Sequence, residues 1–340
     1  MRIQFRVIIL AVVLAVMGGL LPATVEAARG EFTLSVGTET AGNDPYTAAL
    51  EHFKKEMEQA TGGRILVNIY PKQQLGTEQS MMEGMRAGSV DAAIVGGPNF
   101  AAFVPEMGIL SVSYLFKSPD HFKRAMGPDS PVFKHLQGLV GEKKIGMRLI
   151  GLGTIGIRWY ANRKGPVRSP EDITKLGLRT RVMGSPIERE VWSAFGAAPV
   201  TMPMPEVYTA GRQGVVDAAE NGPSLLYTYK VYEVFPYVSK TEHQWLVAPI
   251  LISEKTWAKL PADLQAAVAK AGAEAGVVSI DASQKMTADA VEAMRKSGKA
   301  TIVTDVDQDA FRRRVAHLYD RVAKELKAEE LLRLVRSLEK

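Results

Sequence analysis

From residue 45 to 61 the chain reads PYTAALEHFKKEMEQAT, and Tyr46, Leu50, Phe53, Met57 and Ala60 recur at three- and four-residue spacing. That spacing predicts a helix with one apolar face. Gly62 and Gly63 end it, and RILVNIYP follows with β-rich alternation. TEQSMMEGMRA then predicts a helix stopped by Gly88, and SVDAAIV a short buried strand. The second half repeats this grammar. SPEDI at 169–173 and SPIERE at 185–190 each place Ser at an N-cap and Pro at the first helical position, with Asp172 or Glu188 completing a capping box or a close variant. GLRTRVMG between them is too short for a helix and predicts a strand ending near Gly184. PEVYTAGRQ is a helix stopped by Gly214, and VVDAA a strand. Helix and strand alternate throughout, so the class is α/β.

Two stretches repeat each other. MRAGSVDAAIVGG at 85–97 and GRQGVVDAAENGP at 211–223 share Arg, Gly, Val, Asp, Ala, Ala and a later Gly at the same offsets. Each is a helix, a glycine able to take the left-handed C-terminal position, a short strand and a glycine-containing loop. Ligands of open α/β sheets lie beyond the carboxyl ends of strands. One copy would be an ordinary helix-to-strand joint; two in matching context predict two sheets whose loops face each other across a cleft. After residue 253 the helical pattern runs for some forty residues, broken only by Pro261, before the short strand ATIVT and a terminal helical region. A helix that long is expected to pack across both halves.

Composition adds a location. MRIQFR is basic, VIILAVVLAVMGGLL is apolar and VEA supplies small residues, the pattern of a secretory signal cut after Ala27. The apolar run, about 15 residues, is shorter than the roughly 20 that a bilayer requires. With no cysteine the chain has no lipidation site and no disulfide frame, so a periplasm is its expected home. The net charge of +5 is spread along the chain without a basic run, which excludes nucleic acid as the expected partner.

Catalytic motifs are absent: no Gly-x-Ser-x-Gly, no His-Glu-x-x-His and no phosphate-binding loop. His52, His121, His135, His243 and His317 are scattered without metal spacing, and neither metal nor cofactor is expected. Basic and polar groups near the predicted cleft remain. Arg158 follows the GLGTIGI strand, Arg181 sits near the end of the GLRTRVMG strand, and Asn221 closes the second repeated unit. A guanidinium fits a carboxylate with two parallel hydrogen bonds, so each arginine reads either as an acid's anchor or as half of a structural ion pair.

Five pieces in order, LGTEQSMMEGMRAGSVDAA, VPEMGILSVSYLF, GIRWYANRKGPVRSPEDITKLGLRTRV, FGAAPVTMPMPEVYTAGRQGVVDAAEN and YEVFPYVSKTEH, resemble the DctP-type solute-binding proteins of TRAP (tripartite ATP-independent periplasmic) transporters. The resemblance implies two α/β lobes joined by hinge strands and a long helix, with 28–154 and about 247–285 in the first and 155–246 and about 286–340 in the second. It implies a binding protein, not an enzyme, that closes over a small organic acid and delivers it to small and large permease subunits. Arg181 in LRTRV is then the carboxylate anchor, Arg158 a second ligand, Asn221 a third, and Met204 a packing surface. Thr38 and Gly96 complete the predicted set. Sialate-binding relatives tend to carry an acid where this chain has Gly96, which argues against sialic acid. AENGPS, followed by YEV and TEH, is similar to relatives that bind sugar acids such as uronates, although an aromatic residue common there is missing. Other monocarboxylates and C4-dicarboxylates stay open. The competing reading is a periplasmic lyase or isomerase using Glu39, Glu220 or His243 as general acid or base.

Overall fold

The computed structural model describes residues 30–339, so the expected signal at 1–27 lies outside the described residues. Two mixed sheets form, as the repeated units predict. The strands are β1 (Phe32–Gly37), β2 (Ile65–Tyr70), β3 (Ala92–Ile94), β4 (Met147–Gly153), β5 (Ile157–Asn162), β6 (Arg179–Val182), β7 (Ala198–Thr201), β8 (Ala218–Asn221), β9 (Tyr237–Trp245), β10 (Ala248–Ser253) and β11 (Thr301–Val303). The first sheet has the order β2-β1-β3-β10-β4 and the second β11-β9-β5-β8-β6-β7. Parallel β2-β1-β3 in one is matched by parallel β7-β6-β8 in the other, each followed by two antiparallel strands. The repeated units therefore end in β3 and β8, at equivalent places in the two lobes. Gly88 and Gly214 both take the left-handed conformation, at φ 84° and 75°, as the turn from helix into strand requires.

Local expectations hold with three differences. Tyr46, Leu50, Phe53 and Met57 are buried on helix Pro45–Ala60, but Ala60, in the last turn at the margin of the stripe, is exposed. Ser169 and Asp172 form a capping box. At the next helix Ser185 caps the Glu188 amide, but the Glu188 carboxylate turns inward to accept from the Met183 N–H at 3.2 Å. Arg158 does not follow a strand; it is the second residue of β5, because GLGTIGI leaves one sheet at Gly153 and enters the other at Ile157.

The chain crosses between the sheets at 154–156 and again at 246–247, and Thr154 ties these crossings together. Its Oγ1 donates to the Leu246 carbonyl at 2.6 Å and accepts from the Gly156 N–H at 2.9 Å, while its own N–H donates to Ser279 Oγ on the long helix. Gly97 and Gly222, one after each repeated strand, sit where a Cβ would come within 2.7 Å of a crossing carbonyl, Val247 O and Ile155 O respectively. The long helix, Ala262–Lys296, packs on helix Pro45–Ala60 and β4 of the first lobe and on helix Pro223–Thr228 of the second. The terminal helices Leu318–Leu326 and Glu329–Ser337 rest on the 3₁₀ segment Pro105–Ser111 and helix Pro131–Lys143.

Three stability outcomes follow from this frame. Thr154→Val leaves the Leu246 carbonyl and the Gly156 N–H without their partner, and denaturant unfolding is expected to show a loss of about 1–3 kcal/mol for each. Ala is favoured over Gly in a helix by about 1 kcal/mol, yet a Cβ on Gly276 of the long helix would lie 2.3 Å from Leu152 O. Gly276→Ala is expected to destabilise by about 1–3 kcal/mol. Gly138, in helix Pro131–Lys143, has nothing within 4 Å of its Cβ position, so Gly138→Ala is expected to stabilise in the same assay.

Candidate functional site

The pairing of β5, β8 and β6 concentrates charge where water is excluded. Tyr160 of β5 pairs with Glu220 of β8, and Ala219 of β8 pairs with Arg181 of β6. Arg158 and Glu220 are both fully buried, and Arg181 and Glu188 are each 2% exposed. The two arginines are treated very differently. Arg158 contacts Glu220 Oε1 through Nη2 and lies 3.6 Å from Glu188 Oε1 through Nη1, which also donates to Met183 Sδ at 3.2 Å. Burial works to lower the Arg158 pKa, but Glu220 and Glu188 outweigh it and raise the group above the ordinary arginine value. Burial likewise pushes the Glu220 carboxyl up, while contact with the guanidinium opposes this, and the two form an ion pair. His243 lies beside them, its Nε2 3.3 Å from Glu220 Oε2 and its Nδ1 2.8 Å from Thr241 Oγ1. Burial, then the Arg158 charge, lowers His243 to about 3, so it is neutral. A neutral ring facing a carboxylate donates from Nε2 and accepts at Nδ1.

Arg181 has no such compensation. Its Nε donates to the Met202 carbonyl at 2.8 Å, its Nη1 is buried without a partner, and it forms no ion pair among the described residues. Burial lowers its pKa, against the pull of Glu220 and more distant acids. The guanidinium borders a cavity of about 30 Å³ between the two lobes, at the carboxyl ends of β6 and β8 and just beyond β1. Glu39, Glu78, Tyr46 and Asn221 also line it. The Tyr46 hydroxyl is a second buried polar group without a partner. Glu39 accepts from the Glu78 N–H at 2.9 Å and the Met204 N–H at 3.2 Å. Glu78 accepts from Asn99 Nδ2 at 2.7 Å, and burial, then the Glu39 charge, raises its carboxyl to about 8.

A space of that size holds about one water molecule, so the lobes are closed on each other and anything larger enters only when they part. Beside the cavity, three hydrogen bonds join the lobes: Met204 N–H to Glu39 Oε1, Tyr229 O–H to the Glu39 carbonyl at 2.9 Å, and Gly184 N–H to Asn99 Oδ1 at 2.8 Å. A wider groove of about 440 Å³ lies between the long helix and helix Pro223–Thr228, but no arginine lines it. Buried charge, not size, distinguishes the interlobe cavity.

Of the six residues singled out in the sequence, Arg181, Met204 and Asn221 line the cavity. Asn221 Nδ2 donates to Met204 Sδ at 3.3 Å. The other three stand behind it. Arg158 is occupied by Glu220 and Glu188, Thr38 bonds the lining residue Thr40 at 3.0 Å, and Gly96 leaves room for Met183, whose Cε would lie 2.4 Å from a Cβ there. Among the groups weighed as acid or base, Glu39 lines the cavity, while Glu220 and His243 do not. Glu78 and Tyr46 escaped sequence reading, since one resembles a first-turn acid at a helix start and the other part of an apolar stripe.

Residues 36–326 match the family described as bacterial extracellular solute-binding protein, family 7 (DctP). The chain is 29% identical over 283 residues to the 2,3-diketo-L-gulonate-binding periplasmic protein YiaO of Escherichia coli, covering 82% of this chain and 83% of that one. It is 26% identical to the C4-dicarboxylate-binding periplasmic protein DctP of Rhodobacter capsulatus, over 91% of each. Among solved structures, a TRAP periplasmic solute-binding protein of Polaromonas bound to D-erythronate superposes with a TM-score of 0.85 at 26% identity, covering 91% of this chain and 99% of that one. One from Chromohalobacter salexigens with bound D-glucuronate gives 0.82 at 26% identity, over 90% and 99%. The sequence, the two-lobed fold and the long helix agree, and the chain belongs to the DctP family of bacterial extracellular solute-binding proteins.

Proposed function

We infer that the protein captures a small organic acid in the periplasm, with a sugar acid such as a uronate or an aldonate favoured, and delivers it to the membrane subunits of a TRAP transporter. The observation that carries this reading is Arg181: a buried guanidinium with a free Nη1, facing an enclosed space between two lobes. An isolated buried charge is costly, and a ligand carboxylate supplies the missing partner. Solved relatives hold D-erythronate and D-glucuronate, both sugar acids. Family and relatives are binding proteins, and nothing in them favours a lyase or isomerase. No helix among the described residues is long and apolar enough to cross a membrane. Delivery to a permease and a cleaved signal through Ala27 accord with the relatives' printed periplasmic roles.

In this reading the lobes, each built on one sheet, part to admit the acid, and Arg181 takes its carboxylate. Asn221 and Met204 contact the ligand beside it, while Arg158, Thr38 and Gly96 shape the wall from behind. Contacts from both lobes favour the closed state, so the ligand shifts the equilibrium by its differential affinity for the two forms.

A thermal-shift screen against uronates, aldonates, 2-oxo acids, aromatic acids and C4-dicarboxylates is expected to raise the midpoint for sugar acids, because a ligand that binds only the folded form stabilises it by mass action. Silence from every carboxylate would overturn the organic-acid assignment. Removing one partner of a buried charge pair costs about 2–5 kcal/mol, so Arg181→Ala is expected to weaken the identified acid by roughly 30-fold or more in titration calorimetry. Arg181→Lys is expected to bind poorly too, since a point charge does not reproduce the fork. Wild-type affinity in Arg181→Ala would displace the anchor.

A further inference from the structure

The cavity wall opposite the anchor is unusual for a site that takes an anion. Glu39 and Glu78 both line it, and each is less than a tenth exposed. On the Arg181 side of the cavity Glu188 and Glu220 face Arg158, so the buried centre sets four carboxyl groups, Glu39, Glu78, Glu188 and Glu220, against two guanidiniums, Arg158 and Arg181. Arg158 is already engaged by Glu220 and Glu188. One cation is left for an incoming acid. The two orphaned groups at the cavity, Arg181 Nη1 and the Tyr46 hydroxyl, can receive one carboxylate and one hydroxyl, and neither supplies a second positive charge.

We propose that Glu39 and Glu78 set the substrate class, accepting the hydroxyls of a polyhydroxy monocarboxylate held by Arg181 and repelling any acid that carries a second carboxylate. Specificity is a difference between affinities and is often built from a repulsive element aimed at the wrong ligand. Here the geometry supplies that element. Glu39 accepts from two backbone N–H groups, one from each lobe, which fix its carboxyl group at the cavity wall. Glu78 is faced by Glu39, Arg181, Tyr46 and Tyr229, and with its carboxyl raised to about 8 it can both donate to and accept from a hydroxyl at neutral pH. Its residual tolerance of a second carboxylate is lost when it ionises. Asn99, which holds Glu78 from one side and the Gly184 N–H of the other lobe from the other, positions this wall as the lobes meet.

The inference rests on the sugar-acid reading, and a matched pair of ligands separates the two. D-erythronate and meso-tartrate have the same carbon chain and C2/C3 configuration and differ only in a terminal CH₂OH or carboxylate. Titration calorimetry with wild type is expected to favour erythronate by more than about a hundredfold at pH 7, since a like-charge contact across a desolvated site carries a penalty of that order, and by more at pH 9. Glu39→Gln is expected to lower this preference by about tenfold or more at both pH values. Glu78→Gln is expected to hold the pH 9 preference at its pH 7 level. The ratio, unlike either affinity alone, does not move when a variant merely loosens the fold; circular dichroism melts establish that each variant is folded. Comparable affinities for both ligands in wild type, or a preference unchanged by either substitution at either pH, would overturn the proposal while leaving sugar-acid capture intact. Failure of erythronate, galactonate and glucuronate all to bind would remove the reading beneath it and the proposal together.

Discussion

A guanidinium kept out of water without an ion partner is the constraint around which this molecule is organised. Taking such a charge from water costs several kcal/mol even after the surroundings relax. At Arg181 the structure offsets this only in part, with one carbonyl from Met202 and the field of nearby acids that form no contact with it. The contrast with Arg158 makes the point, because there two carboxylates close in and the charge is satisfied within the fold. One arginine completes the structure; the other waits for something from outside.

That imbalance is held in place by strand pairing. Arg181 occupies the middle of a parallel triplet, between Val200 of β7 and Ala219 of β8, so its backbone does not shift to relieve its charge. The ion-paired cluster around Arg158 forms a floor linking β5, β8 and the helix carrying Glu188. Facing it, the first lobe supplies Glu39, Glu78 and Asn99 from loops and helix starts beyond β1, β2 and β3. The interlobe hydrogen bonds beside the cavity arise from these same segments, so bringing the lobes together there and completing the wall of the cavity are one event.

Much of the frame was legible in the sequence because it is written in short-range patterns. Glycine after a helix, a few Val and Ala residues, and then another glycine sufficed to place β3 and β8. Arg181 and Asn221 could be placed at a cleft because they sit at strand ends within those patterns. What escaped depends on partners distant in sequence. GLGTIGI reads as one strand, and nothing local reveals that Thr154 leaves one sheet for another, which is why Arg158 was expected after a strand and not inside one. Glu188 fits the capping-box position, yet an arginine thirty residues earlier draws its carboxylate inward. Tyr46 has the spacing of a core residue, and its ring is indeed core; only the hydroxyl is turned to the cavity.

The position of β10 has a consequence for how such a chain comes into being. It lies between β3 and β4 in the first sheet, but it is made only after every strand of the second sheet except β11. A nascent chain that has emerged through Gly153 holds four of that sheet's strands with two unsealed edges facing a gap. Pairings between residues so distant in sequence are slow to form, and open strand edges invite other chains. The first sheet cannot be completed before most of the second has been made, and a chain broken off before Ala248 is expected to aggregate instead of leaving a working first lobe.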